Sequence, residues 1–195
     1  MSQIYIYPTD TVWGIGGDIY DIQTYNEIAR IKQTPVDKPL SILFNTIEMV
    51  EKHLDLSSHE FDVIEKLKDH GMTFGFAKYK FKRDLPELPF SDTDFVCLRV
   101  LSSQIIDGIL NENDGPITTT SLNITKHLPM IDCDEAHNFW KKYASNAKFF
   151  EPQFDMRLSG KSSSIILFSG TGYSVVREGE NIDDIVEILE KIANG

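Results

Sequence analysis

Four cations and a scattered series of hydroxyl side chains have the types and spacing to do chemistry. Lys32, Lys38, Arg99 and Arg177 can bind phosphates or a carboxylate, the arginines through two parallel hydrogen bonds. Thr11, Thr34, Thr119, Ser121 and Ser163 supply hydroxyls, and Asn123 an amide, that orient a polar ligand without adding charge. They fall in six segments: 7–14, 32–40, 98–100, 118–123, 162–166 and 175–179. Most of these segments lie at or beside a predicted strand end, where side chains are held rigidly yet open to a cleft. No nucleophile or histidine base stands among them. Such a set suits phosphoryl or nucleotidyl transfer, in which catalysis is positioning plus charge stabilisation. Taken singly, each hydroxyl also reads as a turn former and each arginine as a surface ion pair.

Other patterns fail on context. Gly160-Lys161-Ser162 resembles the end of a P-loop, but Asp155 stands where the first glycine belongs, and a strand-like run follows instead of a helix. Gly14 and Gly16 begin a dinucleotide fingerprint whose third glycine would fall on Ile19, so they read as residues for a tight backbone path. Asp132, Cys133, Asp134, Glu135 and His137 lack paired Cys or His spacing. They read as the acidic first turn of a helix, and no tightly bound metal is expected. The basic and aromatic run 78–83 could touch RNA weakly. It reads first as a solvated edge strand whose lysines block pairing.

The elements that must position these residues follow from periodicity and breakers. Ile4–Tyr7, Pro39–Phe44, 72–82, Phe95–Val100, 116–120, Ser163–Phe168 and Tyr173–Arg177 read as strands. The last two are joined by the turn 169–172. Helices are predicted near 22–32, 46–53, 58–69, 103–112, 135–144 and 182–192, the last with the broadest apolar face. Gly71 caps the third. Residues 84–94 read as a proline-containing loop and 124–134 as irregular. Interspersed strands and helices with a late hairpin predict an open mixed α/β sheet with flanking helices in a single domain, 1–195.

The chain has 195 residues, enough for one proper core. Nineteen Lys and Arg against thirty Asp and Glu give a net charge of -11, which excludes nucleic-acid binding through bulk positive charge, argues against a polybasic membrane anchor and leaves room for a local basic pocket. Two cysteines, no signal-peptide pattern and no long apolar stretch predict a cytoplasmic protein with no membrane partner.

The ordered series of segments resembles the L-threonylcarbamoyladenylate synthase family, the YrdC-like proteins of tRNA modification. The family pattern has a Tyr-Pro-Thr-Glu-Thr-like start with Gly-x-Gly, Lys-x-Arg-Pro, a strand ending Arg-Val, Thr-Ser-x-Asn, a Pro-Ser-Thr-like strand start and a hydrophobic-Arg-x-Gly end. Here these are Tyr7–Thr11 with Gly14 to Gly16, Lys32–Pro35, Arg99-Val100, Thr120–Asn123, Ser162–Ser164 and Val176–Gly179. Thr34 stands where the pattern has Arg, Leu122 where it has a small residue, and Thr125-Lys126 where Ser-Gly is common.

The resemblance implies a twisted open sheet with a deep, locally positive cavity. It implies that ATP, L-threonine and bicarbonate react there to threonylcarbamoyl-AMP and pyrophosphate, with Mg2+ accompanying ATP. The tRNA threonylcarbamoyltransferase machinery would then use the product at adenosine 37. By position, Thr11, Arg99, Thr119 and Ser163 would face threonine. Lys32, Thr34, Lys38, Ser121, Asn123 and Arg177 would face the nucleotide, with Lys32 and Arg99 catalytic. The alternative is a non-catalytic module of the same fold that binds a nucleotide or double-stranded RNA. A relative acting on carbamoyl phosphate is disfavoured by the single-domain length.

Overall fold

Short apolar runs, each broken by Gly, Pro or a capped helix, pair into one mixed sheet. The computed structural model describes residues 2–152, 158–170 and 172–194. Its strands are β1 (Ile4–Pro8), β2 (Trp13–Asp18), β3 (Ser41–Phe44), β4 (Met72–Ala77), β5 (Phe95–Val100), β6 (Ile117–Ser121), β7 (Lys148–Phe149), β8 (Ser164–Ser169) and β9 (Gly172–Arg177). The sheet order is β7-β1-β2-β6-β3-β5-β4-β8-β9. β1 with β7, β3 with β5, and β4 with β8 run parallel, and the remaining neighbours antiparallel.

The helices are α1 (Ile22–Lys32), α2 (Ile47–His53), α3 (Ser58–Leu67), α4 (Glu87–Phe90, a single turn), α5 (Gln104–Asn113), α6 (Cys133–Tyr143) and α7 (Ile182–Asn194). Side chains cap several of them. Asp21 accepts from the Gln23 amide, Ser57 and Glu60 form a capping box, and Ser103 and Asp132 each accept from an amide of the first turn. Asp134 and Glu135 lie in the first turn of α6, where they favour the helix dipole. Gly71, at a φ of 65°, ends the 3-10 turn that follows α3. One core cluster gathers Trp13, Tyr25, Phe44, Phe74, Phe76 and Phe90 between sheet and helices. A second packs Tyr5, Tyr7 and Leu43 against α5. No described helix is long and apolar enough to cross a membrane.

Two expectations are corrected. β2 is a full strand where the glycine-rich stretch gave no strand signal. A Cβ on Gly16 would lie 1.9 Å from the Thr118 carbonyl oxygen, and one on Gly17 2.6 Å from that of Gln3. Neighbouring backbones therefore press on β2 from both sides, and β-branched residues are excluded by crowding. The tight-path reading of Gly16 holds.

The run 72–82 is not one strand, nor is it at an edge. β4 ends at Ala77 between β5 and β8, and Lys78–Lys80 form a 3-10 turn. The cations of this run are bound internally. Lys78 donates to the Phe90 carbonyl, Lys80 to Glu60, Lys82 to the Glu51 carbonyl, and Arg83 lies 3.7 Å over the Tyr20 ring. The strand expected after Gly160-Lys161-Ser162 is β8. Asp155 and the hairpin-turn residue Thr171 lie outside the described residues.

Candidate functional site

A cleft of about 270 Å³ opens where the ends of β2, β3, β5, β6, β8 and β9 meet. Seven of the ten site residues line it: Thr11, Lys38, Arg99, Thr119, Ser121, Ser163 and Arg177. Thr9, Trp13, Thr73 and Ser162 join them. Among the described residues no carboxylate is on this lining, which presents cations and hydroxyls.

Arg99, at the end of β5, anchors one wall. Its Nη2 donates to both Asp10 carboxylate oxygens at 2.8 Å, and its Nη1 to the Thr11 hydroxyl at 3.2 Å. Its side chain is 9% exposed, against 32% for Asp10. The Arg99 Nε is buried and has no hydrogen-bond partner. The Thr9 hydroxyl donates to the Val12 carbonyl and accepts the Thr11 and Val12 amides, which fixes the turn before β2.

Arg177, at the end of β9, also lines the cleft. Its Nε and Nη2 donate to the Ser163 carbonyl at 2.9 and 2.7 Å, and Nη2 also reaches the Ser163 hydroxyl. That hydroxyl is 2.8 Å from the Thr73 hydroxyl. Burial lowers the Arg177 guanidinium from its usual range, and the nearby Arg99 charge adds to this. Two guanidiniums facing one cleft favour an anionic occupant.

Thr119 is held by the fully buried Tyr7, whose hydroxyl donates to it at 2.7 Å; burial raises the Tyr7 phenol strongly. The Tyr7 ring needs the absence of a side chain at Gly14, where a Cβ would lie 3.0 Å away.

Three expected residues lie off the cleft. Lys32, at the end of α1, is 3% exposed, and its ammonium donates to the Ser121 carbonyl, the Asn123 carbonyl at 3.1 Å and the Asn123 Oδ1 at 2.7 Å. It thus holds the turn that carries Ser121. Asn123 is spent on Lys32, the Ser121 hydroxyl and the His127 carbonyl. The Thr34 hydroxyl is buried without a partner. Lys126 sits at a φ of 74°, the left-handed region glycine occupies most easily.

Burial, then the Lys38 charge, lowers the Lys32 ammonium from 10.5 to about 7. The folded state therefore binds fewer protons than the unfolded chain between these values, and stability contributed by Lys32 rises with pH across that window. Relative to Lys32→Met, the wild-type urea midpoint is expected to climb from about pH 7 to about pH 10. A difference that is flat or falls with pH contradicts the assignment.

Asp10 and Thr73 join the site from outside the set expected from the sequence. Asp10 had a signal: it is the one acid in the segment 7–14. Thr73 had none, because its place depends on β4 pairing with β8. Among the described residues, no three His, Cys, Asp or Glu side chains are grouped so as to hold a metal.

A family model named Sua5_yciO_yrdC, described as "Telomere recombination", matches residues 2–179. A threonylcarbamoyl-AMP synthase of Acinetobacter baumannii is 26% identical over 144 residues, covering 71% of this chain and 76% of its own. One from Wigglesworthia glossinidia brevipalpis is 22% identical over 178 residues, with 91% and 88% covered. Among solved structures, P. abyssi Sua5 complexed with L-threonine superposes with a TM-score of 0.77 at 19% identity, covering 96% of this chain and 53% of that one. This chain thus spans about half the length of that Sua5 chain. E. coli YciO gives 0.76 at 20% identity, with 91% and 84% covered. At these identities the structural likeness is one of fold.

Proposed function

Because this chain belongs to the Sua5/YciO/YrdC family, we propose that it makes threonylcarbamoyl-AMP and pyrophosphate from L-threonine, bicarbonate and ATP, for transfer to tRNA by a partner threonylcarbamoyltransferase. The observation that carries this reading is the convergence of Thr11, Lys38, Arg99, Thr119, Ser121, Ser163 and Arg177, from six separate segments of the chain, on one cleft. The names of the curated relatives support the same reaction.

The chemistry is positional. The threonine amine and bicarbonate give a carbamate and water. A carbamate oxygen then bonds the α-phosphorus of ATP while the bond to the pyrophosphate oxygen breaks. Holding these reactants in line can supply up to roughly 7 to 11 kcal/mol of the barrier. In this reading Arg99, Thr11, Thr119 and Ser163 hold the threonine. Arg177 and Lys38 stabilise charge on the phosphates and on departing pyrophosphate. Lys32 acts through the Ser121–Asn123 turn it grips. In this reading Mg2+ enters as part of the Mg-ATP substrate, held by its phosphates.

The test is pyrophosphate release, with mass spectrometry of the adenylate. Release is expected only when L-threonine and bicarbonate are both present. Release that ignores threonine overturns the reading. A non-catalytic nucleotide- or double-stranded-RNA-binding module is the competing reading, motivated by Thr34, whose hydroxyl brings no charge in place of an arginine. It predicts binding without turnover.

A further inference from the structure

Arg99 is the most deeply buried cation on the cleft, and its hydrogen bonds are unevenly spent. A guanidinium grips a carboxylate best through a fork of two neighbouring N–H groups. On the side-facing fork, Nη2 is occupied by both oxygens of Asp10, while Nε is buried and unpartnered. Thr11 takes Nη1. A buried N–H without a partner is costly, and such groups point to a ligand or an unfilled bond.

Asp10 is itself well placed to move. It is one-third exposed, whereas Arg99 is nearly enclosed. Its backbone carbonyl is anchored separately by the Ser159 amide, so its side chain can shift without disturbing the turn.

We propose that Asp10 is a positioning residue and an internal competitor for the ligand. Its carboxylate holds Arg99 through Nη2 while the cleft is empty, then gives up part of that nitrogen to an incoming carboxylate that also takes Nε. This deepens the synthase reading, and rests on it for the identity of that carboxylate as the one on L-threonine. Asp10 has two opposed effects. It weakens ligand binding, because one anion must partly displace another from Arg99. It raises turnover, because it keeps the guanidinium in a fixed orientation that the ligand meets already formed.

The experiment compares wild type with Asp10→Asn and Asp10→Glu. Binding of L-threonine is followed by calorimetry and by fluorescence of Trp13, which lines the cleft. Asp10→Asn is expected to bind L-threonine about three- to tenfold more tightly, the scale of a partly exposed ion pair, while kcat falls at least about tenfold. Asp10→Glu is expected to bring both values back toward wild type. A merely structural role would lower the melting temperature and weaken binding together. Equal or weaker binding by folded Asp10→Asn overturns the proposal. Asp10→Ser removes the same charge and replaces Asn if that variant does not fold. A wild type that binds no L-threonine counts against the synthase reading alone. Acetate and inorganic phosphate then serve as probes, with tighter binding by the neutral variant still required for acetate, and an effect confined to phosphate overturning the carboxylate assignment.

Discussion

Arg99→Met is expected to lower threonine-dependent pyrophosphate release by at least about thirtyfold while leaving the fold intact. Removing one partner of a largely buried, hydrogen-bonded charge pair costs about 2 to 5 kcal/mol, because the other charge is left behind. Here the charge left behind is Asp10, and it would face a cleft built for anions. The variant therefore loses an attraction and gains a repulsion at one point. Arg99→Lys keeps the charge but not the fork, and is expected to recover only part of the rate. Steady-state rates at saturating ATP check this, with circular dichroism to verify folding. Activity within tenfold of wild type in Arg99→Met would remove Arg99 from the site.

The second large effect is on stability. Gly16→Ala places a methyl group 1.9 Å from the Thr118 carbonyl oxygen, a backbone atom in the interior of the sheet. Nothing flexible can yield there, so β2 and β6 must separate or shift register. A loss of at least about 3 kcal/mol is expected, beyond the usual range for an added methyl. Gly108→Ala is the control. Gly108 lies within α5 with nothing within 4 Å of its added Cβ, so a gain of about 0.5 to 1 kcal/mol is expected. Urea midpoints measure both, and a Gly16→Ala protein as stable as wild type would refute the close approach.

Much of this architecture was legible because local physics fixes it. α1, α3, α5 and α6 carry their own caps in sequence, and their apolar residues recur at helical spacing. β5 and β8 are apolar runs between breakers. β2 was illegible because its glycines answer to strands distant in sequence, not to any local preference. The turn at 78–80 was misread because β-prone residues continue past Ala77, and what stops the strand is tertiary: Lys78 turns to Phe90 and Lys80 to Glu60. In the site, residue type identified the cations but could not say which way each points. Lys32 and Arg177 look alike as isolated cations, yet one is consumed by the Ser121–Asn123 turn and the other lines the cleft.

The position of Arg177 has a consequence of its own. β9 lies at one edge of the sheet, bonded to β8 on one side only, and its residues are all exposed. One wall of the cleft is thus carried by an edge strand. Were the β8–β9 pair to open, the guanidinium would leave with β9 and an anionic occupant would lose that hold. Fraying of this margin and vacating of the cleft are one equilibrium, so an occupant that grips Arg177 also fastens the edge of the sheet.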